Sequence, residues 1–218
     1  MILEIELLQD YEILTIQNLL STAAYKPGKL STGENTDVKV SAVVDQNTLE
    51  YKKVYEILSR AISNNITFSS LLSTKKITPP VIVNYETGGF YDWHIDEIEI
   101  GSVLTHYSMT IFLNNPDEYG GGELILIRDG KEEQYKLQAG KALIYSTGML
   151  HKVAPVKTGN RLVSVSWLES LIKDEFVRNC IFNLGKINKE LLNDKVDSNK
   201  VLSLEQLRIN MLRQYGNF

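Results

Sequence analysis

The 218-residue sequence predicts a mainly β fold, a jelly roll or barrel, with helices before and after it. Three observations carry this. Residues 81–168 break into eight short strand-like runs at close spacing. Turn-forming residues separate several of them. On either side the apolar residues return to helical spacing, and Pro79-Pro80 marks the first change of pattern.

Residues 10–24 have helical spacing, with Asp10 as the expected N-cap. Residues 26–37, rich in Gly, Ser, Thr and Asn, read as a loop. Residues 48–63 are again helical, with Leu49, Val54, Ile57, Leu58 and Ala61 apolar. The eight strand runs follow: VIVNY, FYDWHID, HYSMTIFL, ELILIR, EEQYKL, KALIYS, HKVAPV and RLVSVSWL. Thr87-Gly-Gly, Asn114-Asn-Pro, Gly120-Gly-Gly, Asp129-Gly and Thr158-Gly-Asn supply turns. Residues 170–192 read as one helix, and Ser203-x-x-Gln206 as a capping box opening another. The expected organisation is an N-terminal helical and loop segment over 1–78, a β core over 79–169 and a helical tail over 170–218.

Composition excludes several function classes. The chain is 43% hydrophobic and 23% charged, as in ordinary globular proteins. The net charge of −4 gives no electrostatic reason to expect nucleic acid as a partner. No apolar run is long enough to span a bilayer, so no membrane association is expected. Met1-Ile-Leu-Glu-Ile-Glu lacks the basic start of a secretory signal. Cys180 is the single cysteine, which excludes an intrachain disulfide and fits a reducing compartment. A cytoplasmic location is expected.

The chemistry-bearing residues are His94 and Asp96, then His151, then Arg161. Two imidazoles and a carboxylate form the facial set of a non-haem Fe(II) oxygenase, which leaves iron positions open. His-x-Asp alone is a weak motif, and a lone His on a half-buried strand is more often a packed residue. Context strengthens it: at i and i+2 of a strand, His94 and Asp96 leave the same face. His151 opens a later strand that a jelly roll can bring opposite. No thiolate lies nearby, which disfavours a structural zinc site. His106 has no acidic partner at i+2 and reads as structural.

Arg161 shares strand parity with Val163, Val165 and Trp167, so it is expected on the apolar inner face. A buried guanidinium needs an anion. No acidic residue shares that face, so the partner is either a ligand carboxylate or a distant Asp or Glu.

Residues 85–96, Tyr-Glu-Thr-Gly-Gly-Phe-Tyr-Asp-Trp-His-Ile-Asp, resemble the Tyr-x-x-Gly-x-x-Tyr-x-x-His-x-Asp signature of prolyl 4-hydroxylase-type 2-oxoglutarate oxygenases. Thr110-Ile-Phe-Leu-Asn114, Gly121-Gly-Glu-Leu124, His151-x-x-x-Pro155, Arg161 and Trp167 are similar in spacing to the same family, above all its bacterial PKHD-type hydroxylases. In the N-terminal third Val38-Lys39 fits, but Ser41 and Val43 stand where amide side chains are expected.

The resemblance implies a double-stranded β-helix and Fe(II) held by His94, Asp96 and His151. It implies 2-oxoglutarate anchored by Arg161 and touched by Tyr85, and a substrate wall of Tyr91, Trp93 and Trp167. It implies O2 as cosubstrate and L-ascorbate as the agent that rescues oxidised iron. The implied reaction hydroxylates an aliphatic C–H, with succinate and CO2 as co-products. A prolyl or lysyl residue of a protein or peptide is the first expectation, and a free amino acid or other small molecule the alternative. AlkB-like nucleic-acid demethylation is disfavoured, because Trp167 stands where that family carries a second Arg. A non-catalytic cupin-like module is disfavoured by His-x-Asp in place of His-x-His. A monomer or homodimer is expected.

Overall fold

The structure is a computed structural model that describes residues 1–28, 38–194 and 197–218. In chain order its elements are β1 (Ile2–Glu6), α1 (Asp10–Ser21), β2 (Tyr25–Pro27), β3 (Lys39–Val40), β4 (Ala42–Val44), α2 (Leu49–Asn64), α3 (Ile66–Leu72) and β5 (Thr74–Ile77). Then come β6 (Val81–Tyr85), β7 (Phe90–His94), β8 (Glu99–Ile100), β9 (Val103–Leu104), β10 (Tyr107–Phe112), β11 (Tyr119–Gly121), β12 (Leu124–Arg128) and β13 (Lys131–Tyr135). The chain closes with β14 (Lys141–Ser146), β15 (His151–Val153), β16 (Val156–Gly159), β17 (Arg161–Ser170), α4 (Glu175–Asn193) and α5 (Ser198–Tyr215).

Two antiparallel sheets face each other. The major sheet runs β1-β14-β10-β17-β6-β4-β2, with β5 also paired to β17. The minor sheet runs β13-β12-β15-β7-β3. Strand alternation separates two cores. Val83, Phe112, Leu143 and Val163 point between the sheets and pack with Leu124, Leu126 and Val153. Their neighbours Ile82, Ile111 and Ile144 point the other way, onto Ile16 and Leu20 of α1 and Val54 and Leu58 of α2. The major sheet is therefore buried on both faces, by helices behind and the minor sheet in front, as a layered β domain requires. The expected mainly β architecture with helices at both ends is the architecture observed.

The N-terminal third contributes more strand than its sequence pattern indicates. β1, β2 and β4 join the major sheet and β3 the minor one. These strands are two to five residues long, so they carry too few side chains to display a period. Of the expected 26–37 loop, residues 26 and 27 lie in β2, and 29–37 fall outside the described residues.

Helix ends differ from the sequence expectation where two capping groups compete. The first helix begins at Asp10, but Gln9 is its N-cap, and the Glu12 carboxylate accepts the Gln9 N–H at 3.0 Å. That carboxylate satisfies the exposed donor, so Asp10 lies inside the first turn. Thr48 caps α2 by accepting the Tyr51 N–H at 3.2 Å. β17 runs through Ser170, and the next helix starts only at Glu175, behind an Asp174 cap. Asp197 caps α5, so Ser203 lies within it and its hydroxyl donates to the Asn199 carbonyl. Ser203 is thus an interior back-bonding serine and not the opening of a capping box. The tail is tied to the sheet: the Asn217 N–H donates to the Leu171 carbonyl. No helix among the described residues is long and apolar enough to cross a membrane.

Candidate active site

The site is assembled from both sheets. β7 and β15 pair so that His94 lies directly opposite His151. The register between them slips: Tyr91 pairs with Val153, so β7 holds one residue more than β15 over this stretch. A bulge of this kind re-aims side chains. It places Tyr91 on the same side as His94, and their rings stack with centroids 3.4 Å apart. The strand ends at His94, so Asp96 lies just past it.

The ligand atoms of His94, Asp96 and His151 all fall within 4.8 Å of one another. His94 Nε2 lies 3.7 Å from Asp96 Oδ1, and His151 Nε2 lies 3.7 Å from Asp96 Oδ2. The other ring nitrogen of each imidazole is engaged behind the site. His94 Nδ1–H donates to the Asp92 carbonyl at 2.7 Å, and His151 Nδ1–H to the Met149 carbonyl at 2.9 Å. A carbonyl only accepts, so in the neutral form of each ring it is Nε2, the atom facing Asp96, that carries the free lone pair. Burial and the neighbouring His151 ring pull the His94 pKa down to about 4, so this imidazole is neutral at ordinary pH.

Asp96 is held from the major sheet. Its Oδ2 accepts from Ser108 Oγ at 2.6 Å and from Trp167 Nε1 at 2.8 Å. Ser108 in turn accepts from the Thr147 hydroxyl at 3.2 Å. Ser108 escaped the sequence reading, since nothing in Tyr107–Phe112 marks one serine as distinct.

The three residues open into a cleft of about 500 Å3. Val81, Val83, Leu124, Val153 and Val165 give it apolar walls, while Tyr85, Tyr91, Arg161 and Lys39 supply polar groups. Arg161 is 1% exposed and pairs with Tyr85 across β17 and β6. Its guanidinium lies 5.2 Å from the Tyr85 ring centroid and 5.6 Å from that of Phe112. Among the described residues no carboxylate forms an ion pair with it, and its Nε has no hydrogen-bond partner. Gly122, at φ +68°, lets this side chain through: a Cβ there would meet Arg161 Cδ and Tyr119 Cε2 at 3.1 Å. Tyr85 is buried beside it, and burial raises its pKa to about 12, so its hydroxyl stays protonated.

The sequence-predicted residues divide accordingly. His94, Asp96, His151, Arg161, Tyr85 and Tyr91 converge on one cleft. Trp167 lines it too, but its indole N–H is directed to Asp96. Trp93 does not line the cleft; as the strand neighbour of His94 it leaves the opposite face, and the Lys152 ammonium lies 4.3 Å above its ring. His106 is structural, its Nδ1 accepting the Ser170 N–H at 2.9 Å.

The donor set fits a divalent transition metal such as Fe(II): two imidazoles and one carboxylate, with open positions toward the cleft. The orphaned Arg161 Nε in the same cleft fits an anionic organic ligand beside that metal.

Comparison with known proteins agrees with this geometry. Residues 80–169 match the 2OG-Fe(II) oxygenase superfamily model. A PKHD-type hydroxylase of Rippkaea orientalis is 34% identical over 215 residues, covering 97% of each chain. Another, from Thermosynechococcus vestitus, is 33% identical and covers 99% of each. Among solved structures, a prolyl hydroxylase from Trichoplax adhaerens, in complex with a hypoxia inducible factor oxygen degradation domain peptide fragment, superposes with a TM-score of 0.60. It is 17% identical and covers 78% of this chain and 83% of that one. A viral collagen prolyl hydroxylase from Paramecium Bursaria Chlorella virus-1, in a 2-oxoglutarate complex, gives 0.54 at 16% identity, covering 78% and 96%. These two show the shared jelly-roll fold. At such identity over nearly its whole length, the chain belongs to the PKHD-type hydroxylases, and it is a 2-oxoglutarate-dependent dioxygenase of the 2OG-Fe(II) superfamily.

Proposed function

We propose that this dioxygenase hydroxylates an aliphatic C–H, first of all in a prolyl or lysyl residue of a protein or peptide, releasing succinate and CO2. The observation that carries the reading is Arg161. It is a fully buried guanidinium without a carboxylate partner among the described residues, in the cleft that holds His94, Asp96 and His151. Such a group is costly unless an anion completes it.

In this reading His94 Nε2, His151 Nε2 and Asp96 Oδ1 hold Fe(II). Asp96 Oδ2 is occupied by Ser108 and Trp167, which leaves one oxygen to face the metal. Arg161 receives the distal carboxylate of 2-oxoglutarate in its planar fork, and Tyr85 offers a protonated hydroxyl to the same group. The valine and leucine walls exclude water and so strengthen each of these contacts. Iron with its cosubstrate supplies the oxidising power for the C–H bond, one O2 oxygen ending in the product and the other in succinate. Tyr91 forms the wall on which the substrate lies, stacked on His94.

A polypeptide substrate is favoured by the surface around the site. Ile95 and Ile98 flank Asp96 and Leu150 precedes His151, and all three are exposed. Exposed apolar side chains so close in the chain to the ligating residues support an interaction surface beside them. The Trichoplax relative in fold was captured with a peptide. L-ascorbate as iron reductant and a cytoplasmic setting complete the proposal. The test is succinate formation from 2-oxoglutarate by the Fe(II)-loaded protein, with and without a proteome digest, followed by mass spectrometry for peptides one oxygen heavier. Digest-stimulated succinate with hydroxylated proline or lysine is expected. Stimulation by free amino acids alone would reject the peptide assignment.

A further inference from the structure

Two basic side chains line the cleft, and the proposed function uses only Arg161. The other is Lys39. β3 pairs with β7 so that Lys39 lies opposite Tyr91. Its ammonium sits 4.6 Å from the Tyr91 ring centroid, and the same ring stacks on His94 at 3.4 Å. The order is thus ammonium, phenol ring, metal-facing imidazole.

Lys39 is half-buried, and no carboxylate of the described residues is in ion-pair contact with it. A cation–π contact offsets only part of the cost of moving an ammonium out of water. Asp96 acts on it electrostatically, but the Asp96 carboxylate is engaged by Ser108 and Trp167. Among the described residues, Lys39 therefore presents a charge to the cleft without a matching anion. The Tyr91 ring holds it one layer away from the metal-facing atoms, so it meets a group entering beside the metal and not one bound to it.

We propose that Lys39 is a specificity-determining residue that binds a carboxylate of the primary substrate, placed beside the C–H bond to be oxidised. This rests on the oxygenase reading above. The carboxylate has two possible sources: an Asp or Glu side chain near the target residue of a polypeptide, or the α-carboxylate of a free amino acid.

The experiment separates them. The full chain, with Fe(II) and 2-oxoglutarate under anaerobic conditions, is used to select from a random library of C-terminally amidated peptides with a central proline. In parallel, free amino acids and their amides are compared as competitors. The wild-type protein should favour Asp or Glu over Asn or Gln, or the free acid over its amide, by on the order of tenfold. Preference in the peptide arm assigns a side-chain carboxylate, and preference in the amino-acid arm an α-carboxylate. Lys39→Met should erase the preference, Lys39→Arg keep it, and Lys39→Glu turn it toward basic residues. Lys152→Met, altering an ammonium outside the cleft, should retain it. The assignment is overturned if neither arm shows an acidic preference, or if the preference survives Lys39→Met. Failure of the oxygenase reading is distinct: the wild-type protein would then make no succinate, whatever it selects.

Discussion

Ser108 and Trp167 face each other across β10 and β17, and both donate to the same oxygen of Asp96. The imidazoles come from a cross-strand pair in the minor sheet, and the carboxylate is fixed by a cross-strand pair in the major sheet. The site therefore depends on how the two sheets are held together, and not only on its three conspicuous residues.

Removing either donor should loosen Asp96 without unfolding the protein. Ser108→Ala and Trp167→Phe are each expected to weaken Fe(II) binding by about ten- to a hundredfold, the usual range for groups that orient a ligand. Because both act on one oxygen, the double variant should lose less than the sum of the two losses, in free energy. Anaerobic iron titration of the four proteins measures this. Unchanged affinity in both single variants would show that Asp96 is oriented by something else.

Arg161 is expected to act on the cosubstrate and not on the apo fold. Arg161→Lys keeps a charge but loses the planar fork, so 2-oxoglutarate affinity should fall about ten- to a hundredfold. Arg161→Met removes a buried charge that has no carboxylate partner among the described residues, so the apo protein should melt no lower than wild type. A marked drop in apo melting temperature with unchanged 2-oxoglutarate affinity would identify a structural cation instead.

Much of this was legible in the sequence. The alternation Arg161, Val163, Val165, Trp167 indicated one inward face, and Arg161 is 1% and Val163 0% exposed. The His94, Asp96 and His151 cluster followed from spacing and from the family resemblance. What stayed hidden depends on pairing between distant strands. The bulge that moves Tyr91 onto the His94 face exists only in register with β15. Ser108 matters because Trp167 lies opposite it and Asp96 lies in front of both. The choice of Asp197 over Ser203 as a cap is invisible for another reason: both residue types favour that position, and local sequence does not rank them.

Buried tyrosines set the alkaline limit of stability. Burial raises Tyr51, Tyr85 and Tyr107 to about 12 in the folded protein, against an ordinary value near 10. Between those values the unfolded chain has lost protons that the folded chain keeps. Stability from these groups is thus full below pH 10 and falls as pH rises toward 12. Denaturant melts from pH 8 to 11.5 should show the decline beginning near pH 10, and Tyr51→Phe should make it shallower. A flat profile through pH 11.5 would contradict the burial argument. The Tyr85→Phe loss in 2-oxoglutarate affinity, roughly 1.5–3 kcal/mol for one hydrogen bond to a carboxylate, should not vary between pH 6 and 9.

The central claim is that His94, Asp96 and His151 together hold one iron ion. Its most direct test is equilibrium binding of Fe(II) under anaerobic conditions to the wild-type chain and to Asp96→Ala. The wild type should bind one iron per chain, and Asp96→Ala should lose that binding while keeping its secondary structure. An Asp96→Ala protein that retains one iron at wild-type affinity would place the metal elsewhere and overturn the assignment.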